Sequence, residues 1–108
     1  MPYVPRGVAE REELAKALDG LPPWPAYAEV VTWDYKIDEN WAGEPALYFL
    51  IVLRDEAATD ERLREVTRRI RNFVDDKADP QGQWDLFPYF RFISQSEYEQ
   101  ELTSSVNH

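Results

Sequence analysis

The sequence has no cysteine, so neither disulfides nor thiolate metal sites prop up the fold, and a reducing cytoplasm suits it. Histidine occurs once, as the last residue, His108. No ordered imidazole is therefore expected for a Ser-His-Asp or Cys-His arrangement, nor for a histidine zinc site. Glycine occurs four times, and the patterns G-x-x-x-x-G-K-[ST] and G-x-G-x-x-G are both missing, which removes the two common backbone cradles for phosphate. The opening Met1-Pro2-Tyr3-Val4-Pro5-Arg6 lacks the apolar stretch of a signal peptide. The longest apolar run, Pro45 to Leu53, is far too short to span a bilayer. Basic residues are scarce, 12 Lys and Arg against 21 Asp and Glu, for a net charge of −9. That balance disfavours nucleic acid and anionic membranes, and leaves a basic protein partner or plain solubility.

What is present is a chain of 108 residues with an aromatic share of 14%, enough for one domain with an efficient core and too short for two. Flexible ends are expected over residues 1–6 and 103–108. Leu14, Leu18 and Leu21 recur at helical spacing, which predicts a first helix from Val8 to Gly20, stopped by Pro22, Pro23 and Pro25. Alternation from Ala26 to Ile37 predicts a strand with one aromatic-rich face, Trp33 and Tyr35 among its residues. A polar turn, Asp38 to Glu44, separates it from a second strand, Ala46 to Leu53, which is apolar on both faces and so reads as central.

The strongest helical pattern is Leu63, Val66, Ile70, Phe73 and Val74, capped at Thr59 or Asp60 and ending near Asp76. Asp75 to Leu86, with Asp79-Pro80-Gln81-Gly82, reads as a loop. A third strand covers Pro88 to Ile93, with Pro88 at a strand start or on an edge. Ser94 and Glu97 have the spacing of a capping box before a short last helix carrying Tyr98 and Leu102.

The order is α-β-β-α-β-α, an α+β chain with a small three-stranded mixed sheet and helices packed on one face. Strands one and two form an antiparallel hairpin, and the second helix crosses over to leave strands two and three parallel. This order resembles part of a ferredoxin-like α/β sandwich in topology, without a motif that would carry a function across.

Three classes of chemistry stay open. Asp34, Asp38, Glu39 and Glu44 crowd the hairpin, and Asp55 and Glu56 follow the second strand. Such carboxylates can bind a divalent cation or do acid–base work, although their spacing matches no EF-hand loop. Aromatics beside an arginine on the third strand, Phe87, Tyr89, Phe90, Arg91 and Phe92, can stack bases, but the Gly-aromatic pattern of RNA-recognition folds is absent. The arginines Arg62, Arg64, Arg68, Arg69 and Arg71 read as a wet helix face paired with Glu61 and Glu65.

Tyrosine, tryptophan and arginine are the residues interfaces favour. The candidate interface is therefore Trp33, Tyr35, Tyr48, Leu50, Tyr89 and Arg91. The expected function is a cytoplasmic, non-catalytic protein-binding or oligomerisation module. A homodimer or another protein is the partner, as with antitoxin-like or inhibitor-like neutralising proteins, and no catalytic residue, metal or cofactor is assigned. A carboxylate-dependent metal enzyme or small-ligand domain is the alternative, and RNA binding the more remote one.

Overall fold

A computed structural model describes the backbone of residues 3–106 and the side chains of residues 3–103. Three strands, β1 (Val30–Glu39), β2 (Pro45–Leu53) and β3 (Phe87–Ser94), form one mixed sheet in the order β1-β2-β3. The hairpin β1–β2 is antiparallel, and β2 and β3 run parallel. Pro88 is the second residue of an edge strand, where a missing N–H is tolerated.

Register divides the side chains between two faces. The inner face carries Trp33, Tyr35 and Ile37 beside Ile51, Phe49 and Leu47, continued on β3 by Phe92, Phe90 and Pro88. The helix α3 (Asp60–Lys77) lies over it with Val66, Ile70 and Val74 fully buried and Leu63 and Phe73 at the margin. Leu14 and Leu18 of α2 (Arg11–Asp19) complete this core.

The first helix is broken where one continuous helix is expected. A short α1 (Arg6–Ala9) ends at Glu10, and α2 starts immediately after. The break lets α1 lie against α4 (Pro80–Trp84) while α2 lies on the sheet. Gly7 is the contact point: a Cβ there would sit 2.4 Å from Leu86 Cδ1 and 3.2 Å from the Trp84 carbonyl. Arg6 locks the pair, with its guanidinium 4.5 Å from the Trp84 ring centroid and a 3.0 Å bond to the Gln83 carbonyl.

Helix α4 replaces the expected loop. Asp79 caps it by accepting the Gly82 amide at 3.2 Å, and Pro80 fills the first helical position, where no N–H is needed. The first strand also starts late. Ala26–Ala28 form a 3₁₀ turn after Pro25, and Glu29 turns left-handed at φ 50°. Arg62 holds this corner, donating to the Tyr27 carbonyl at 3.0 Å, the Glu29 carboxylate at 3.1 Å and the Glu56 carbonyl at 3.0 Å. A bulge follows between Val30 and Thr32. Val30 therefore shares the inner face with Leu53, and alternation is regular only from Thr32 onward. Elsewhere on α3, Arg68 and Arg69 pair with Glu65 as expected, whereas Glu61 and Arg64 do not pair.

Helices are not confined to one face. Helix α5 (Gln95–Val106) turns back over the outer face, where Glu101 meets Arg91. Val52 and Ile93, paired on that face, are buried yet stand outside the main core. The helix continues past Thr103, where a frayed tail is expected, and His108 lies outside the described residues. Half of the capping box forms: Ser94 Oγ accepts the Glu97 amide at 3.2 Å. The other cap comes from Asp55, which accepts from the Ser96 amide at 3.1 Å and from its hydroxyl, tying α5 to the end of β2.

Those Ser96 bonds hold the Asp55 carboxyl below its ordinary 3.8. A lowered folded pKa means stability that is present above the unfolded value and is lost as pH falls through the folded one. Asp55→Asn should therefore lower the denaturation midpoint at neutral pH, and the gap to the parent should close below about pH 4. Urea unfolding across pH checks this.

Candidate functional site

The outer face has two halves. Toward its α5 end, Thr32, Val52 and Ile93 lie in one row, and α5 covers the two apolar residues. Below that, register builds three further rows: Asp34, Leu50 and Arg91; Lys36, Tyr48 and Tyr89; Asp38, Ala46 and Phe87. A groove of about 530 Å³ lies over the first two of these rows.

Its floor is aromatic. The Tyr48 and Tyr89 rings stack at 5.1 Å and 17°, and Phe87 leans on Tyr89 at 5.0 Å. Tyr48 is pinned by donating its hydroxyl to the Glu39 carbonyl at 3.3 Å. Phe87 remains 54% exposed, and Trp41 in the hairpin turn is 94% exposed. That turn is shaped by Asn40, whose side-chain oxygen accepts the amides of Ala42 and Glu44, and by Gly43 at φ 79°.

The charges around this floor are already matched internally. Lys36 lies 3.4 Å from Asp38 and 6.0 Å from the Tyr48 ring centroid. The Glu39 amide, donating to Asp38 with Lys36 beside it, holds that carboxyl below its usual range. Arg91 pairs with Glu101. Asp34 accepts the Tyr35 amide at 2.8 Å. Among these groups three carboxylates stand against two cations.

Of the six expected interface residues, five border this groove, and register sets four of them on its face: Tyr48, Leu50, Tyr89 and Arg91, with Tyr35 bordering it from a position that faces the other way. Trp33 and Tyr35 belong to the opposite face. Trp33 packs edge-on to Trp24 at 5.3 Å and tilted on Phe49 at 6.4 Å, and Tyr35 stacks on Trp33. Burial, and after it the negative charges of Asp19 and Asp34, push the Tyr35 hydroxyl above its ordinary pKa. Odd numbering on β1 matches odd numbering on β2 in this hairpin, so Trp33 and Tyr35 share a face with Phe49 and Ile51 rather than with Leu50.

Asp34, Lys36 and Phe87 complete the site and were not among the six. For Asp34 and Lys36 the signal is the hairpin register itself, since residues opposite Leu50 and Tyr48 must share their face, and for Phe87 it is alternation along β3 with Tyr89 and Arg91. The hairpin acids do not gather as ligands: among the described residues no three acidic, cysteine or histidine side chains form a group that could hold a metal ion. No described helix is long and apolar enough to cross a membrane.

No protein-family model, curated protein or solved structure matches this chain. The site is therefore interpreted from its own chemistry.

The two faces should respond differently to truncation. Trp33→Ala should cost about 3 kcal/mol, the low end for a large core aromatic. Tyr89→Ala should cost only about 1 kcal/mol, the size of one lost ring pair. Paired chemical denaturation curves measure both.

Proposed function

We propose that this chain is a non-catalytic docking module whose uncovered outer sheet face receives a basic segment of another protein. The observation that carries this is the stacked Tyr48–Tyr89 pair, continued by Phe87, on a face that α5 leaves half open. Soluble monomers rarely leave a contiguous apolar patch uncovered without using it.

Charge selects the occupant. The net charge is −9, and both cations on the face already have carboxylate partners. An acidic ligand would have to displace Asp38 or Glu101, whereas an arginine or lysine finds ring faces to lie on and acids at the rim. Guanidinium groups suit such sites because they stack on rings and donate side-on to carboxylates. A neutralising role toward a basic protein, of the antitoxin or inhibitor kind, follows from the same chemistry.

The finer architectural proposal is part of a ferredoxin-like α/β sandwich, supported by the β1–β2 hairpin and by β3 returning parallel to β2 across α3. One domain and a cytoplasmic location complete the proposal, the latter supported by the cysteine-free sequence.

Calorimetric titration with an arginine- and lysine-rich peptide tests the function. Binding should weaken as salt rises, and an acidic peptide of equal length should not bind. Tyr89→Ala should weaken the complex about tenfold, the loss of ~1.4 kcal/mol expected for one well-formed cation–ring contact. No binding, or binding indifferent to Tyr48→Ala and Tyr89→Ala, contradicts the proposal.

A further inference from the structure

The two edges of the sheet are built differently. On β1 the outward amides of Tyr35 and Glu39 are taken by the side chains of Asp34 and Asp38, both at 2.8 Å. A bulge between Val30 and Thr32 also distorts that edge. Bulges and charged side chains are the devices by which sheets block strand addition.

Strand β3 has fewer of them: no bulge and no carboxylate, only Arg91 and, near its start, Pro88. Its pairing with β2 runs without a bulge from Phe87 to Ser94, and its one charged residue is Arg91. Beyond that ladder, no backbone group of Phe87–Ile93 bonds to another described residue. Beside the first half of this edge lies a groove of about 460 Å³, lined by Arg71, Asp75, Asp79 and Gln81 along with Phe87 to Phe90. A row of unpaired backbone groups next to open space is a template for one more strand.

We propose that β3 pairs antiparallel with β3 of a second copy, giving a continuous six-stranded sheet across a two-fold axis. A register centred on Phe90 sets Tyr89 opposite the second copy's Arg91, Pro88 opposite its Phe92 and Phe87 opposite its Ile93. A two-fold axis repeats each pair, as a closed dimer requires. On the outer face this makes two guanidinium–ring contacts, and the exposed Phe87 gains an apolar neighbour. Strand β3 carries no carboxylate, so the seam brings no acid against acid despite the chain's charge of −9. Strand addition at β1 would instead press Asp34 and Asp38 against the incoming chain.

The edge and the docking face share Phe87, Tyr89 and Arg91, and pairing would set two docking faces side by side. Sedimentation velocity over a range of concentrations, combined with hydrogen exchange, tests the inference. The protein should sediment as a dimer, and amides within Phe87–Ile93 should exchange faster when dilution drives it to monomer. Arg91→Asp should weaken the dimer at least tenfold while leaving the far-UV circular dichroism unchanged. A monomer at every concentration overturns the inference. So does a dimer whose dilution changes exchange in β1 or leaves β3 unchanged. Basic-peptide titration on the same preparation separates the two proposals. A monomer that binds peptide keeps docking and loses pairing, and a dimer that does not bind keeps pairing and loses docking.

Discussion

Strand β2 is apolar on both faces, and the rest of the molecule is arranged around covering it twice. Leu47, Phe49, Ile51 and Leu53 point one way and Ala46, Tyr48, Leu50 and Val52 the other. A chain of this size has two substantial helices for the inner face, α2 and α3, and beneath them the β2 residues of that face are fully buried while its margins on β1 and β3 are partly so. Only α5 is left for the outer face. It buries Val52 and Ile93 and stops, so Tyr48, Leu50 and their neighbours on β3 stay in contact with water. The open face is thus a consequence of unequal cover on a strand that demands equal cover.

Local ties decide where that cover falls. Asp55 fixes the start of α5 beside the end of β2, and Arg91 meets Glu101 one row further along the sheet. Arg62 performs the matching task on the other side, binding the 3₁₀ corner and the loop before α3 into one unit. These are exposed or part-buried, charge-assisted contacts of modest worth singly. Their effect is positional: they set which half of the outer face is covered and which is presented.

Much of this was legible in the sequence because periodicity reports burial. The α3 stripe, the two-faced β2 and the position of Pro88 each follow from spacing or from a missing N–H, and the structure has them as expected. The departures have physical causes that spacing does not register. Helix α4 is hidden in the sequence because Asp79-Pro80-Gln81-Gly82 suits a helix start and a turn alike, and only the Gly82 amide donating to Asp79 distinguishes them. The break at Glu10 depends on Gly7 meeting Leu86, a contact between residues distant in sequence. Trp33 and Tyr35 were grouped with Tyr48 and Leu50 by chemistry, yet hairpin register places them on opposite sides of the sheet. A one-residue difference in register exchanges the two faces, so residue type alone could not sort the six candidates.

The central claim is that the half of the outer face left open by α5 is where a basic partner docks. Its most direct test is a two-dimensional NMR titration of the labelled protein with an arginine- and lysine-rich peptide, following the backbone amides and the aromatic side chains. The account predicts that shifts concentrate at Asp34, Lys36, Tyr48, Leu50, Phe87, Tyr89 and Arg91, with the inner-face rings of Trp33 and Tyr35 unmoved. Shifts centred on α3, on the Trp24–Trp33 cluster or on the acids of α2 would contradict it.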